Sequence, residues 1–166
     1  MANKENNQDD YTVFGVDTID SDKFDRQKRI LGWDQKKISE ATVIIVGAGA
    51  TGNEVVKNLV LTGIGKIILI DYDLIDVSNL NRCVLFSSQS ALNKDYKVDA
   101  VKKACEELNP DTEIISIKKD LKDIDKGLYK KADVVCSCLD NVEARLEANN
   151  YSYYNEYCYL SSFFYF

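Results

Sequence analysis

Two kinds of apolar pattern alternate along this chain of 166 residues. Ala41-Thr42-Val43-Ile44-Ile45-Val46 and the run from Lys66 to Ile70 are short, unbroken and rich in β-branched residues, a pattern that predicts parallel strands buried on both faces. Between them Val55, Val56, Leu59 and Val60 recur at helical spacing from Thr51 to Leu61, and Gly63 is placed to end that helix. Residues 41–71 therefore predict one βαβ unit. An irregular stretch from Tyr72 to about Asn93 follows, then a helix that runs to Leu108 and is stopped by Asn109-Pro110. Glu113 to Ile117 predicts a third strand and Asp133 to Cys138 a fourth. Upstream, Ser21-Asp22-Lys23-Phe24 predicts the opening of a short helix with Ser21 or Asp22 as N-cap, carrying Arg26, Lys28 and Arg29. Residues 1–20 are polar and aperiodic, which predicts a loose arm ahead of a single domain over 21–166.

Strands alternating with helices predict an α/β fold with a Rossmann-like, doubly wound and mostly parallel sheet. Composition narrows the classes of function. The chain is 45% hydrophobic and 29% charged, as a globular domain should be. Its net charge of −6 and the lack of a Lys/Arg stripe argue against a nucleic-acid partner. No run is long and apolar enough for a bilayer span, and the polar start has no signal-peptide core, so a cytoplasmic protein is expected. Five cysteines without a secretory signal predict reduced, mostly buried thiols, and the absence of histidine leaves few zinc ligands and no imidazole base.

The chemistry gathers where strands end. Gly47, Gly49 and Gly52 form a G-x-G-x-x-G between a strand and a helix, the context in which glycines let backbone N–H groups approach a phosphate at a helix N-terminus. Asp71 ends the second strand, where an acidic side chain commonly binds ribose hydroxyls. This pair is shared with NAD enzymes. The next segment, Asp71-Tyr72-Asp73-Leu74-Ile75-Asp76-Val77-Ser78-Asn79-Leu80-Asn81-Arg82, adds Asn79, Asn81 and Arg82, donors suited to a triphosphate. Asp140 follows the fourth strand, so it and Asp71 should converge at the carboxyl edge of the sheet.

These motifs resemble, in order, the adenylation domain of the ubiquitin-activating enzymes and of their bacterial and archaeal relatives, the ThiF, MoeB and HesA proteins. The resemblance rests on Phe24-Asp25-Arg26-Gln27, the glycine motif, Asp-x-Asp followed by Ser78-Asn79-Leu80-Asn81-Arg82, and Cys138-Leu139-Asp140-Asn141-Val142-Glu143-Ala144-Arg145. It implies that ATP is bound with its ribose on Asp71, with Gly47, Gly49, Gly52 and Asp73 in the nucleotide site, and with its phosphates held by Asn79, Arg82 and Lys97. It further implies Mg²⁺ at Asp140, and an Arg26 supplied across a homodimer or heterodimer interface. Lys94 competes with Lys97 for its role, and Arg29 with Arg26. The implied reaction is attack by the C-terminal glycine carboxylate of a ubiquitin-like or sulfur-carrier protein on the α-phosphate of ATP. Two other readings are a non-catalytic partner subunit and a NAD-dependent oxidoreductase. Relatives continue past this point, so the resemblance implies a domain truncated at its C-terminus. Within the aromatic-rich segment Tyr151 to Phe166, Tyr157 to Ser162 resembles the start of the family's next core strand, and Phe163, Phe164, Tyr165 and Phe166 are expected to be exposed or covered by a second chain.

Overall fold

The computed structural model describes residues 22–140, Leu146, Asn149 and the backbone of 158–161. The arm over 1–20, Ser21, the motif residues 141–145 and, apart from the backbone of 158–161, the terminal aromatic segment 151–166 lie outside the described residues. The chain divides into two units, Met1–Trp33 and Asp34–Phe166.

In the first unit a short helix, α1 (Asp25–Lys28), carries Arg26, and Arg29 follows as its C-cap. Asp22, one of the two expected N-caps, does not cap it: the N-cap is Phe24, without a side-chain bond, and the Asp22 carboxylate accepts the Phe24 amide at 2.7 Å ahead of the helix.

The second unit opens with α2 (Gln35–Glu40), a helix the apolar pattern does not reveal because Ile38 is its one apolar residue and none of its residues is fully buried. Its start is set by Asp34, whose side chain accepts the Lys37 amide at 3.0 Å. There follow β1 (Thr42–Val46), α3 (Ala50–Thr62), β2 (Lys66–Ile70), α4 (Ser88–Leu92), α5 (Lys97–Leu108), β3 (Glu113–Ile117), β4 (Val134–Ser137) and β5 (Cys158–Ser161). The five strands form one parallel sheet in the order β3-β2-β1-β4-β5. This is the expected α/β, Rossmann-like arrangement, with β1 at its centre.

Alternation along the buried strands sends Val43, Ile45, Ile67 and Leu69 to one face and Ile44, Val46, Ile68 and Ile70 to the other. On the first face they pack against Val56 and Val60 of α3 and Val98, Val101 and Cys105 of α5. The opposite face is covered by Leu121 and Tyr129 of two short 3-10 turns, Leu121–Asp123 and Lys126–Lys131, and by Ala132, the C-cap of the second, on the way from β3 to β4. A 3-10 turn at Val77–Asn79 and helix α4 interrupt the stretch expected to be irregular. The helix expected after Asn93 starts only at Lys97, because Lys94 has a left-handed φ of +57° and Tyr96 pairs with Leu74 in an antiparallel bridge.

Candidate nucleotide-binding site

Strand β1 delivers the chain into the Gly47-Gly52 turn, and two of the three glycines are required by contact. Gly47 has φ +97°, and a Cβ on it would stand 2.8 Å from the Cys138 carbonyl oxygen. A Cβ on Gly52 would stand 2.0 Å from the carbonyl oxygen of Gly47. Gly49 is different, since a Cβ there would meet nothing within 4 Å. The freedom of Gly49 therefore serves the space outside the turn. It is also the N-cap of α3 and supplies no side-chain acceptor to the first-turn amides, which leaves a 13-residue helix with its positive end open.

Asp71 locks this turn. One carboxylate oxygen accepts the Ala48 amide at 2.7 Å and the other accepts the Asp73 amide at 2.8 Å. Burial raises the Asp71 carboxyl above the usual carboxylate range, an effect that these two amide bonds and the nearby Lys97 charge only partly offset. The Asp71 amide in turn donates to the Ile117 carbonyl at 3.1 Å. Ile117 also edges an open cavity with Lys119, Ile124, Leu128 and Lys131, which none of the candidate site residues lines.

The segment from Asp73 to Lys97 is a loop closed at its neck. Lys97 donates its amide to the Asp73 carbonyl at 3.0 Å and its ammonium to the Asp73 carboxylate at 2.6 Å, and the Ile75 amide donates to the Asp95 carbonyl at 2.9 Å. Burial by itself would lower the Lys97 pKa. The Asp73 hydrogen bond and the charges of Asp71 and Asp73 outweigh it and hold the pKa above the ordinary value. Between the two candidate lysines the difference is plain. The Lys97 side chain is 13% exposed and faces Asp71 and Asp73, whereas that of Lys94 is 55% exposed and pairs with Asp76.

On the loop itself, Asn79 accepts the Asp76 amide at 3.0 Å, so its carbonyl oxygen serves as a local cap. Arg82 is exposed, and Nη1 donates to the Ser78 carbonyl at 2.6 Å and to the Asn81 side chain at 3.1 Å. Those bonds engage one arm of a guanidinium that carries five donors. Asp140 is exposed, just beyond the carboxyl end of β4. Its neighbours Cys138 and Leu139 both lie against the position a Gly47 Cβ would take. Thus Gly47, Gly49, Gly52, Asp71, Asp73 and Lys97 are brought together, and Asn79 and Arg82 are carried on the loop whose neck Asp73 and Lys97 close. Arg26 belongs to the other unit. Among the described residues no group of three or more His, Cys, Asp or Glu side chains could hold a metal ion. A Mg²⁺ held largely by phosphates and water needs only one or two carboxylates, so Asp140 fits it as a single protein ligand. Cys83 and Cys105 are buried with free thiols, and Cys136 and Cys138 are half-buried. Burial pushes the Cys105 thiol up to about 11, outside the range of a reactive thiolate.

Asn53 was not anticipated as part of this site. It is fully buried, yet it lies on the stripe formed by Val56 and Val60. A polar residue on the apolar stripe of a helix directly after G-x-G-x-x-G was the signal that could have marked it.

Residues 22–163 match the ThiF family profile. The chain belongs to the ThiF family. Among related members, ubiquitin-like modifier-activating enzyme 5 of Caenorhabditis briggsae is 33% identical over 150 residues, covering 81% of this chain and 34% of that protein. SUMO-activating enzyme subunit 2 of Dictyostelium discoideum is 39% identical over 115 residues, 68% of this chain and 17% of that protein. The crystal structure of E. coli MccB with AMPCPP and MccA superposes with a TM-score of 0.68 at 29% identity, covering 78% of this chain and 39% of MccB. The chain thus spans about a third or less of the two modifier-activating relatives and 39% of MccB. No helix among the described residues is long and apolar enough to cross a membrane.

Proposed function

We propose that this chain forms the ATP-binding part of an enzyme that adenylates the C-terminal glycine of a ubiquitin-like or sulfur-carrier protein. The observation that carries the reading is the meeting, at one sheet edge, of an open helix N-terminus at Gly49, the Asp71 carboxylate that locks the glycine turn, and the half-buried cation of Lys97. The carrier carboxylate oxygen attacks the α-phosphorus, the bond to the bridging oxygen breaks, and pyrophosphate leaves with the electron pair to give an acyl-adenylate. Such a step requires positioning and charge stabilisation, and no side-chain nucleophile.

In this scheme Asp71 accepts from the ribose hydroxyls. The turn over Gly47, Gly49 and Gly52, with Lys97, Asn79 and Arg82, receives the phosphates. Asp73 holds Lys97 in reserve between turnovers. Mg²⁺ at Asp140 would neutralise phosphate charge. Arg26 acts on the nucleotide of a neighbouring subunit in a homodimer or heterodimer. MccB, solved with AMPCPP and MccA, supports ATP as the nucleotide, and the names of the modifier-activating relatives support the carrier.

Two assays on the full-length protein test this. Calorimetric titration should give tighter binding of ATP–Mg²⁺ than of NAD, and ATP–pyrophosphate exchange should appear with a ubiquitin-like or sulfur carrier. Tighter NAD binding would overturn the proposal in favour of an oxidoreductase. ATP binding without exchange would point to a non-catalytic partner subunit.

A further inference from the structure

Asn53 is the most completely enclosed polar side chain in the neighbourhood of the glycine turn, with no exposed surface. Its amide nitrogen donates to the carbonyls of Ala48 at 2.8 Å and Gly49 at 3.1 Å, and its amide oxygen accepts the Leu85 amide at 2.9 Å. Ala48 is therefore held from two sides, its N–H by Asp71 and its C=O by Asn53. Leu85 lies three residues after Arg82 and is buried, as are Cys83 and Phe86, whereas Val84 between them is exposed. The Phe86 amide donates to Cys83 and the Cys83 amide to Asn79, so the stretch from Asn79 to Phe86 is one hydrogen-bonded piece.

An apolar residue at position 53 would extend the Val56 and Val60 stripe and add to the core, so packing alone does not call for asparagine. An asparagine side chain supplies donors at one end and an acceptor at the other, and here both ends are used across two different segments. Buried polar groups that are fully bonded fix one arrangement, because every alternative leaves a partner unsatisfied.

We infer that Asn53 is a positioning residue which sets the spacing between the phosphate-facing glycine turn and the Asn79–Phe86 piece that carries Arg82. The inference rests on the ATP-binding reading. It assigns the triphosphate end of the site, and not the ribose end, to this side chain.

The test compares the unsubstituted full-length protein with Asn53→Ala, and with Asn53→Ser should the alanine variant not fold. Affinities for ATP–Mg²⁺ and for AMP are measured by calorimetry, and backbone hydrogen exchange is followed by mass spectrometry. The expected result is an ATP affinity lowered about tenfold or more, AMP affinity changed less than about threefold, and faster exchange confined to 47–49 and 79–86 while α5 keeps its protection. Equal losses for ATP and AMP, or unchanged exchange over 79–86, would overturn the role of Asn53. Failure of the unsubstituted protein to bind ATP would instead overturn the ATP-binding reading, and the exchange experiment would still report whether Asn53 couples the two segments.

Discussion

Two of the crossovers between strands of this sheet, β1 to β2 and β3 to β4, are built on different terms. Between β1 and β2 the chain turns through three glycines and a 13-residue helix, and its polar groups interlock through Asp71 and Asn53. Between β3 and β4 it uses 3-10 turns capped by Asp120 and Asp125 and leaves a cavity edged by Lys119, Asp123 and Lys131. The first crossover restrains the backbone itself, to within contacts that admit no Cβ. The second restrains mainly side chains, which have several ways to fill their space. A site that grips a ligand with backbone amides tolerates few sequences, whereas a cover over a sheet face tolerates many.

Substitutions at three glycines and two site side chains sharpen that contrast. Gly52→Ala should have the largest effect. With its Cβ 2.0 Å from the Gly47 carbonyl oxygen, the turn cannot close, and a loss of about 3 kcal/mol in urea unfolding is expected together with loss of ATP binding. Next, Arg82→Ala should lower adenylate formation by about 10²–10³-fold in an exchange assay, as loss of one charge-stabilising donor does, with the unfolding midpoint unchanged. Survival of activity to within a few-fold would remove Arg82 from the phosphate site.

Gly49→Ala should separate stability from binding. The added methyl meets no protein atom within 4 Å, so stability should hold to within about 0.5 kcal/mol while ATP affinity falls about tenfold. A smaller effect concerns pH. Because burial raises the Asp71 carboxyl, its protonated form is favoured more in the fold than in the unfolded chain. That contribution to stability is fully present below the ordinary carboxylate value of about 4 and is lost as pH rises through the raised value. ATP affinity should climb over the same window as the ionised acceptor forms, and the difference between the unsubstituted protein and Asp71→Asn in both measurements isolates this group. Smallest of all, Gly127→Ala in the second crossover should leave ATP affinity unaltered and stability within about 0.5 kcal/mol. Its Cβ would approach only the movable Asp125 carboxylate, at 3.3 Å.

The same contrast explains what the sequence disclosed. The buried strands β1 and β2 were legible because doubly covered parallel strands must be runs of β-branched residues, and β3, a partly exposed edge strand, also falls on Glu113–Ile117 as expected. α3 ends at Gly63, in the left-handed conformation that the sequence pattern anticipates. The short elements were hidden. α2 has no fully buried residue and packs only Ile38 against the core, α4 has only five residues, and the 3-10 turns after β3 show no 3.6-residue period because they do not have one. Within the site, glycines and acids at strand ends were visible, since their positions follow from the topology. Which of Lys97 and Lys94 faces Asp71 and Asp73 was not, because it depends on the left-handed Lys94 and on which lysine the loop neck turns inward.

The place of β1 at the centre of the sheet also governs the order in which the site can assemble. Its partner β2 arrives after one helix, while β4 arrives far later, with the Thr42 amide reaching an Asp133 carboxylate across 91 positions of sequence. Closing the longer loop costs roughly 1.2 kcal/mol more, for about two doublings of length. The glycine turn and Asp71 are thus joined by local chain, and a polypeptide emerging from the ribosome can form that half early. The wall supplied by Cys138 against Gly47 comes only with β4. Nucleotide present during synthesis would meet a half-built cradle, and its grip should tighten in a separate, later step that a stalled-chain binding experiment can resolve in time.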